Sequence, residues 1–115
     1  MKKFEATVYR PDGISFEKVT IESLNDIYRY LDCKTFDVVT VFWNSQMISI
    51  YLDDKGLFKP NNLGSEIKGY NQPLFGNLLI ARSVDGVGNT LSLPSEFNEL
   101  EITKHISIPL YITKG

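Results

Sequence analysis

The sequence predicts an α+β fold: an antiparallel sheet of about five to seven strands, with one main helix packed on one face and a short second helix late in the chain. Several stretches have the residue alternation or the β-branched and aromatic content of strands, and glycine-, asparagine- or proline-containing turns separate them. One amphipathic stretch has helical spacing. The 115 residues, 43% hydrophobic and 23% charged, are expected to form a single domain over residues 1–115.

The first strand is predicted from its period of two, because apolar and polar side chains alternate from Phe4 onward. A turn at residues 10–13 follows, with a proline and a glycine at the positions that such turns favour. The returning strand runs from Ile14 to about Thr20. Its apolar residues change face between Phe16 and Val19, so we predict a β-bulge between these two residues.

A helix start is predicted at Ser23, because a hydroxyl followed three residues later by the carboxylate of Asp26 forms a capping box. The helix is expected to end near residues 32–34. It is too short to be stable alone in water, so its apolar face must pack on the sheet. That face consists of Leu24, Ile27, Tyr28 and Leu31.

The stretch with the strongest β-propensity is Phe36–Trp43, which is β-branched or aromatic at nearly every position. This composition predicts a central strand covered on both faces. The dipeptide at residues 44–45 is short enough for a tight hairpin into a strand over Met47–Leu52. Another strand is predicted over Leu74–Ala81.

The last third of the chain is expected to hold three short elements. A glycine-rich turn at residues 85–89 leads to a strand over Thr90–Leu93. A short helix follows, with Ser95 as its cap. The chain then closes with a strand at residues 106–112, and Pro109 places this strand at a sheet edge because proline cannot donate a ladder hydrogen bond.

Residues 53–73 form a long connection with neither helical nor alternating periodicity. Structureless connections beyond about 12 to 15 residues are uncommon in compact domains and usually serve a function or are disordered. Phe58, Ile67 and Tyr70 give this connection apolar groups that can anchor it while its polar groups face outward. We therefore predict an ordered recognition loop.

Composition excludes several classes of protein. A formal net charge of −2 does not support general nucleic-acid binding, which usually shows a basic stripe. Cys33 is the only cysteine, so no intrachain disulfide is expected and a reducing cytoplasm is the simplest location. The amino terminus alternates polar and apolar residues, unlike a signal peptide. No stretch approaches the roughly 18 apolar residues of a membrane span, so no membrane partner is expected.

Candidates for catalysis are better explained structurally. His105 is the only histidine and lacks the surrounding pattern of a catalytic relay, so it is predicted to be a surface or strand-end residue. Cys33 lies at the carboxyl end of the predicted helix, where the negative end of the helix dipole disfavours a thiolate. This position favours a buried structural cysteine. The acids at residues 53–54 fit a turn rather than a calcium loop. We expect no enzyme activity, no metal site and no cofactor.

Three short motifs accompany this order of elements. They are Pro60-Asn61-Asn62 in the loop, Phe75-Gly76-Asn77-Leu78-Leu79-Ile80 after it, and Gly88-Asn89-Thr90-Leu91-Ser92-Leu93. With the hairpin and the capped helix, they resemble the family called domain of unknown function 3846 over about Lys3 to Glu96. Asn61, Asn62 and Gly76 match the family's loop and following strand.

The resemblance implies a small protein of the kind common in phages and other mobile elements. No catalytic residues are established for that family, so none is assigned to this chain. The sequence departs from the family at residues 32–34, where glycines are usual, and at Arg82, where a small residue is expected. The predicted strand at residues 106–112 lies beyond the resemblance.

The first functional hypothesis is a non-enzymatic module that binds a small anionic or nucleotide-like ligand. Aromatic rings beside cations can stack on planar ligands, and the fork of Arg82 can clamp a phosphate or carboxylate. In a phage setting, binding alone would sequester a host immune signal. The predicted ligand-binding residues are Phe58, Lys59, Asn61, Asn62, Lys68, Tyr70, Asn77 and Arg82.

Each of these assignments has a structural alternative. Arg82 is either a ligand clamp or a solvated charge that pairs with Asp85 or Glu66. Phe58 and Tyr70 either stack on a ligand or anchor the loop. The second functional hypothesis is a protein-interaction module that contacts a host or phage protein, or a second copy in a homo-oligomer. Its contact surface would be the edge strand at residues 106–112 or the 53–73 loop.

Overall fold

Both faces of one antiparallel sheet are covered in this protein. The structure, a computed structural model, describes residues 2–84 and 89–114. Within them, the predicted α+β class, with one main helix and a short second helix, is confirmed. The elements are β1 (Phe4–Arg10), β2 (Ser15–Ile21), α1 (Leu24–Leu31), β3 (Phe36–Trp43), β4 (Gln46–Asp53), a 3-10 turn (Gly56–Phe58), β5 (Leu63–Ser65), β6 (Leu74–Phe75), β7 (Leu78–Val84), β8 (Thr90–Leu91), α2 (Glu99–Ile102) and β9 (Tyr111–Ile112).

The described strands form two sheets. The main sheet has six strands in the order β2-β1-β7-β4-β3, with β8 paired to β7, and the small sheet has the order β6-β5-β9. Every pairing is antiparallel. Of the predicted glycine-rich turn at residues 85–89, residues 85–88 lie outside the described residues.

The first hairpin is confirmed, but the predicted bulge in its second strand is wrong. Pairing runs without a shift from Phe4 opposite Ile21 to Arg10 opposite Ser15. Phe16 contacts the ring of Tyr9 on one face of the sheet, whereas Ile21 is buried on the other. Because both faces are covered, the apolar residues can change face along the strand without an extra residue.

Helix α1 begins as predicted, with the carboxylate of Asp26 accepting hydrogen bonds from the amides of Glu22 at 2.8 Å and Ser23 at 3.3 Å. These bonds lower the pKa of Asp26, the Glu22 amide contributing most. The helix ends at Asp32, which is left-handed with φ 52°. Leu24 is half exposed, which corrects the prediction that it belongs to the packed face. Neither described helix is long and apolar enough to cross a lipid bilayer.

Two hydrophobic cores result, one on each face of the main sheet. The core beneath α1 contains Phe4, Ala6, Val8, Val19, Ile21, Ile27, Leu31, Tyr51, Leu79 and Ala81. The second core lies between the main sheet and the layer formed by the small sheet and α2. It contains Tyr9, Val41, Trp43, Ile48, Ile50, Ile67, Leu74, Leu78, Ile80, Phe97, Ile102 and Ile106.

Strand β3 was predicted to be central and is instead an edge strand of the main sheet. Its inward residues, including Trp43, pack into the second core. On the opposite face α1 covers only part of the sheet, so the side chain of Phe42 is 65% exposed. The nearly continuous apolar sequence therefore reflects one buried face and one partly uncovered face, not burial on both.

Two further elements differ from the predictions. The strand expected over residues 74–81 is interrupted at Gly76, whose φ of +85° turns the chain from the small sheet into the main sheet. Helix α2 begins later than expected, and its cap is Asn98 rather than Ser95. The side-chain carbonyl oxygen of Asn98 accepts a hydrogen bond from the backbone amide of Glu101 at 2.9 Å.

The predicted strand at residues 106–112 is only partly confirmed. Regular pairing is restricted to β9, with an isolated bridge between Ile67 and Ile106. Pro109 lies between these two contacts, where its missing amide interrupts the ladder. Strand β9 is at an edge of the small sheet, as expected for this segment.

Candidate functional site

The 53–73 loop is ordered, as predicted, because the carboxyl-terminal segment runs antiparallel to it. The loop is not structureless, since it contains a 3-10 turn and β5. Buried Ile67 anchors it to the second core. Five backbone hydrogen bonds hold the two segments together: Asn61 N to Thr113 O (3.1 Å), Thr113 N to Asn62 O (3.0 Å), Leu110 N to Gly64 O (2.9 Å), Ser107 N to Glu66 O (3.0 Å) and Lys68 N to His105 O (2.8 Å).

Close packing also fixes the path of the loop. A Cβ at residue 64 would lie 2.5 Å from Cε1 of buried Phe75, so only glycine fits there without a shift of the ring. The hydroxyl of Tyr9 on the main sheet is 3.1 Å from the Ser65 hydroxyl on the small sheet, in a buried position. The loop therefore has a fixed position against the main sheet.

Four of the eight predicted ligand-binding residues meet at one surface concavity of about 320 Å³. Asp12, from the first hairpin turn, and Asp32, at the end of α1, also line it. The four residues are Lys59, Asn61, Asn62 and Asn77.

The central interaction of this concavity is an ion pair between Lys59 and Asp53. The carboxylate of Asp53 is 6% exposed, and its Oδ2 is 2.6 Å from Lys59 Nζ. The same ammonium donates to the carbonyl of Asp32 at 2.9 Å. The hydrogen bond to Asp53 raises the pKa of Lys59. The amide of Lys55 donates to Asp53 Oδ1 at 2.9 Å, consistent with the predicted role of this acid in a turn.

The asparagine side chains in the concavity are used by the fold. Asn62 Nδ2 donates to the carbonyl of Gly56 at 3.0 Å, and Asn77 Nδ2 donates to the carbonyl of Tyr30 at 3.2 Å. Asn61 is exposed and left-handed, with φ 59°. These hydrogen bonds hold the loop and the end of α1 in place. They give Asn62 and Asn77 a structural role without a ligand.

The charge of the concavity does not suit an anion. Three carboxylates and one ammonium line it, which gives a formal charge of −2. Like charges raise the energy of a bound anion in a site of this kind. The grouping of Lys59 with the asparagines therefore does not by itself support the predicted anionic ligand.

The other four predicted residues lie elsewhere. Phe58 is 73% exposed, so it does not anchor the loop. Tyr70 packs against the second core, as its structural alternative proposed, and lines a separate concavity of about 170 Å³. Lys68 is exposed, and its carbonyl accepts a hydrogen bond from Trp43 Nε1 at 2.8 Å.

Arg82 is not at a strand end but inside β7, opposite Ile48 and Leu91. It lies five residues beyond Asn77, about 16 Å along an extended chain. It therefore cannot share a small site with the asparagines. Within the described residues Arg82 forms no ion pair with Glu66, and its other proposed partner, residue 85, lies outside them.

A second concavity, of about 370 Å³, lies on the other side of the Lys59–Asp53 pair. Lys34 and Lys55 line it together with Lys59, and we call these three residues the lysine cluster. Sequence reasoning missed Lys34 and Lys55 because they are 21 residues apart and meet only where the end of α1 approaches the end of β4. The sequence signal that could have found these two lysines is that each lies at or just after the end of a predicted helix or strand.

Cys33 also lines the second concavity. Burial raises the pKa of its thiol, and the nearby carboxylate of Asp53 raises it further. A raised thiol pKa means less thiolate at neutral pH. This agrees with the predicted structural role, but Cys33 is half-buried rather than buried.

His105 was predicted to be a surface or strand-end residue and is instead buried. Its ring stacks on Trp43 with 4.8 Å between ring centroids, and its Nδ1 is 3.0 Å from the carbonyl oxygen of Glu101. Among the described residues, no three His, Cys, Asp or Glu side chains are grouped so that they could hold a metal ion. The single histidine is a packing residue of the second core.

The most exposed apolar surface of the carboxyl-terminal segment consists of three alternating side chains. They are every second residue of the segment, so neighbouring members lie about 7 Å apart along an extended chain. We call these three side chains the C-terminal apolar stripe. It consists of Ile108, Leu110 and Ile112, which are 64%, 55% and 58% exposed.

Comparison with known proteins gives a family and no function. No curated protein and no solved structure is significantly similar to the chain. One family model, the domain of unknown function DUF3846, matches residues 1–107. The match includes both sheets except β9, and it ends one residue before the C-terminal apolar stripe begins. The chain belongs to the DUF3846 family of domains of unknown function.

Proposed function

We propose that this protein is a non-enzymatic binding module and that its ligand is another protein, bound at the C-terminal apolar stripe. The observation that carries the proposal is the exposure of Ile108, Leu110 and Ile112 in a short segment fixed by backbone hydrogen bonds. Burial of an isoleucine or leucine side chain contributes about 1.5 to 3 kcal/mol. Contiguous exposed apolar groups of this kind mark interaction sites.

The fixed position of the stripe favours binding. Leu110 donates its amide to Gly64, and Ile112 lies opposite Leu63 in the small sheet. The backbone of the stripe is already ordered, so a partner does not have to order it on binding. At the rim, the hydroxyl of Tyr111 donates to Glu66 Oε1 at 2.7 Å, so apolar groups alternate with a satisfied polar contact.

A non-enzymatic role is supported by the surroundings of the two best nucleophile or base candidates. His105 is buried between Trp43 and Glu101, so its ring cannot approach a substrate at the surface. The thiol of Cys33 has a raised pKa and is therefore a weak nucleophile at neutral pH. A cytoplasmic location and a phage or mobile-element origin are part of the same proposal.

We expect Ile108→Lys to weaken partner binding because the ammonium would have to be buried in an apolar contact. The affinity should fall by roughly ten- to a hundredfold, which corresponds to losing one buried isoleucine. The measurement is capture of proteins from a host extract on immobilised wild-type and variant protein, quantified by mass spectrometry.

The matched control is Leu100→Lys, because Leu100 is 71% exposed but lies on α2, away from the stripe. It should capture the same proteins as the wild type. Thermal unfolding followed by circular dichroism shows that both variants are folded. Retention of the same partners by Ile108→Lys at unchanged affinity would exclude the stripe as the binding surface.

A small anionic or nucleotide-like ligand is a second candidate, and the lysine cluster is the observation that favours it. Within the described residues, the ammonium groups of Lys34 and Lys55 form no ion pair. Asp32 and Asp53 also line this concavity of about 370 Å³, but with Lys59 the three ammonium groups leave it a formal charge of +1, which suits a phosphate better than the first concavity does. Under this proposal the module would sequester a host signalling molecule without hydrolysing it.

Thermal unfolding with a panel of mono-, di- and cyclic nucleotides tests this second candidate. A ligand at a hundred times its Kd should stabilise the protein by about 2.7 kcal/mol. Lys55→Ala should remove most of that stabilisation, whereas Lys114→Ala, which changes an exposed lysine outside the cluster, should leave it intact. If no anion raises Tm, the lysine cluster is an ordinary solvated surface.

A further inference from the structure

Strand β3 has an outer edge with no strand beside it in the described chain. A two-residue turn joins it to β4, with Trp43 opposite Gln46, so these two residues exchange hydrogen bonds. Alternation then directs the amides and carbonyls of Val41 and Trp43 towards β4 and those of Thr40 and Phe42 outward. No backbone hydrogen bond joins these outward groups to another described segment, although the outward amide of Val38 donates locally to Asp37 Oδ1 at 3.2 Å.

This edge lacks several of the devices that usually prevent strand pairing. Edge strands are normally protected by lysine, proline, a bulge or a short length. Strand β3 has eight residues, none of them lysine or proline, and pairs with β4 in one uninterrupted register. Val38 and Phe42 expose their side chains on the α1 side of the sheet, beside exposed Met47 of β4.

We propose that two copies of this protein pair through β3, antiparallel and around a twofold axis at Thr40. In this register Thr40 lies opposite Thr40 of the partner subunit, and Val38 lies opposite Phe42 of the partner subunit. The outward backbone groups from Val38 to Phe42 then bond to the second copy, and the Val38 amide exchanges its local bond to Asp37 for one of these. The exposed apolar side chains also meet across the axis as cross-strand pairs. The two main sheets become one continuous sheet.

The charges beside the edge are complementary in the same register. Asp37 lies opposite Trp43 of the partner subunit, and within one chain the carbonyl of Lys68 accepts from Trp43 Nε1. Each Asp37 therefore approaches the segment that contains Lys68 of the partner subunit. Both side chains are exposed, and neither has an ion-pair partner within the described chain. They cannot pair within one copy, because Asp37 and Trp43 are about 20 Å apart along the strand.

One neighbouring segment passes close to this edge at Phe42. A Cβ at residue 69 would lie 3.7 Å from Val41 Cβ, and 3.8 and 3.9 Å from the carbonyl oxygen and amide nitrogen of Phe42. Because residue 69 is glycine, no side chain adds to this contact, and Thr40, the centre of the pairing, lies two residues away along the strand.

Sedimentation velocity over a wide range of protein concentration tests the proposal. The wild type should show a reversible monomer–dimer equilibrium. Thr40→Pro should be monomeric, because proline removes an outward amide while the bonds from Val39 and Val41 to β4 remain. Asp37→Lys and Lys68→Asp should each weaken dimerisation roughly tenfold, and the double reversal should restore it.

The matched controls separate this surface from the one proposed for partner binding. Leu100→Lys and Ile108→Lys should both dimerise like the wild type. Thermal unfolding shows whether Thr40→Pro is folded, and the charge reversals give a result that does not depend on that variant. A wild type that stays monomeric at every concentration, or a dimer whose Kd is unchanged by both single reversals, overturns the proposal.

Discussion

Replacing Trp43 with alanine should lower the free energy of unfolding by about 3 to 5 kcal/mol, the range found when buried aromatic side chains are deleted. Trp43 is 1% exposed and stacks on His105, and its ring lies 6.3 Å from that of Phe97. Its Nε1 also donates to the carbonyl of Lys68. The substitution therefore removes packing of β3 against the segments on either side of α2 and leaves a partly buried carbonyl group without its donor.

Chemical denaturation followed by far-ultraviolet circular dichroism measures this effect, because the fluorescence of the only tryptophan is lost with the substitution. Trp43→Phe is the matched control. It keeps an aromatic ring against His105 but cannot donate to Lys68, so its effect should be smaller. A loss below about 1 kcal/mol for Trp43→Ala would mean that the second core does not depend on this side chain.

Replacing Lys59 with methionine should destabilise the protein by about 2 kcal/mol. Asp53 is buried, and removal of its ammonium partner leaves an uncompensated charge, a change that costs about 3 to 5 kcal/mol for a fully buried pair. We reduce that figure because the side chain of Lys59 is half exposed and water screens the pair. The amide of Lys55 continues to bond Asp53 in the variant.

The contribution of Lys59 should also depend on pH in a defined direction. The pKa of Lys59 is raised in the folded state by its hydrogen bond to Asp53. The stabilisation is therefore complete below the pKa of an unfolded lysine and is lost as the pH rises through the raised value. The difference in stability between wild type and Lys59→Met should be constant near neutral pH and should shrink under strongly alkaline conditions.

Urea denaturation at several pH values measures both effects. Lys59→Arg keeps a positive charge and should retain most of the stability. Lys55→Met removes a neighbouring lysine that forms no ion pair within the described chain, so it should be nearly neutral. Equal destabilisation by Lys55→Met and Lys59→Met would show that the ion pair itself contributes nothing.

Local signals in the sequence predicted the parts of the fold that depend on neighbouring residues. The start of α1 at Ser23 and the two-residue turn at 44–45 were located correctly, and the turn predicted at residues 10–13 lies one residue later, at 11–14. Each depends on a proline or glycine, a capping side chain or a short connection. Such effects operate within about four residues, so the sequence alone contains them.

Predictions that required knowledge of distant segments were less successful. The composition of β3 indicated a buried central strand, but the number of strands beside it depends on how the whole chain folds. The break at Gly76 was missed because residues 74–75 pair with β5, whereas residues 78–84 pair with β1 and β4. Nothing in the local residue pattern distinguishes these two destinations.

The same division applies to the candidate site. The sequence correctly indicated that the 53–73 loop is ordered, because apolar residues such as Ile67 can anchor it. It could not show that the asparagines at 62 and 77 bond to their own chain, or that Arg82 lies far from them. Whether a polar side chain is available to a ligand depends on which backbone groups approach it in three dimensions.

By itself, the sequence determined the α+β class, the first hairpin, the capped helix and the need for an ordered loop, because periodicity and capping act through adjacent residues. Only the tertiary structure decided that β3 is an edge strand, that Lys59 is held by Asp53, and that the lysine cluster and the C-terminal apolar stripe exist. These features arise where segments far apart in sequence meet, and their burial, pairing and charge are properties of that contact rather than of any one segment.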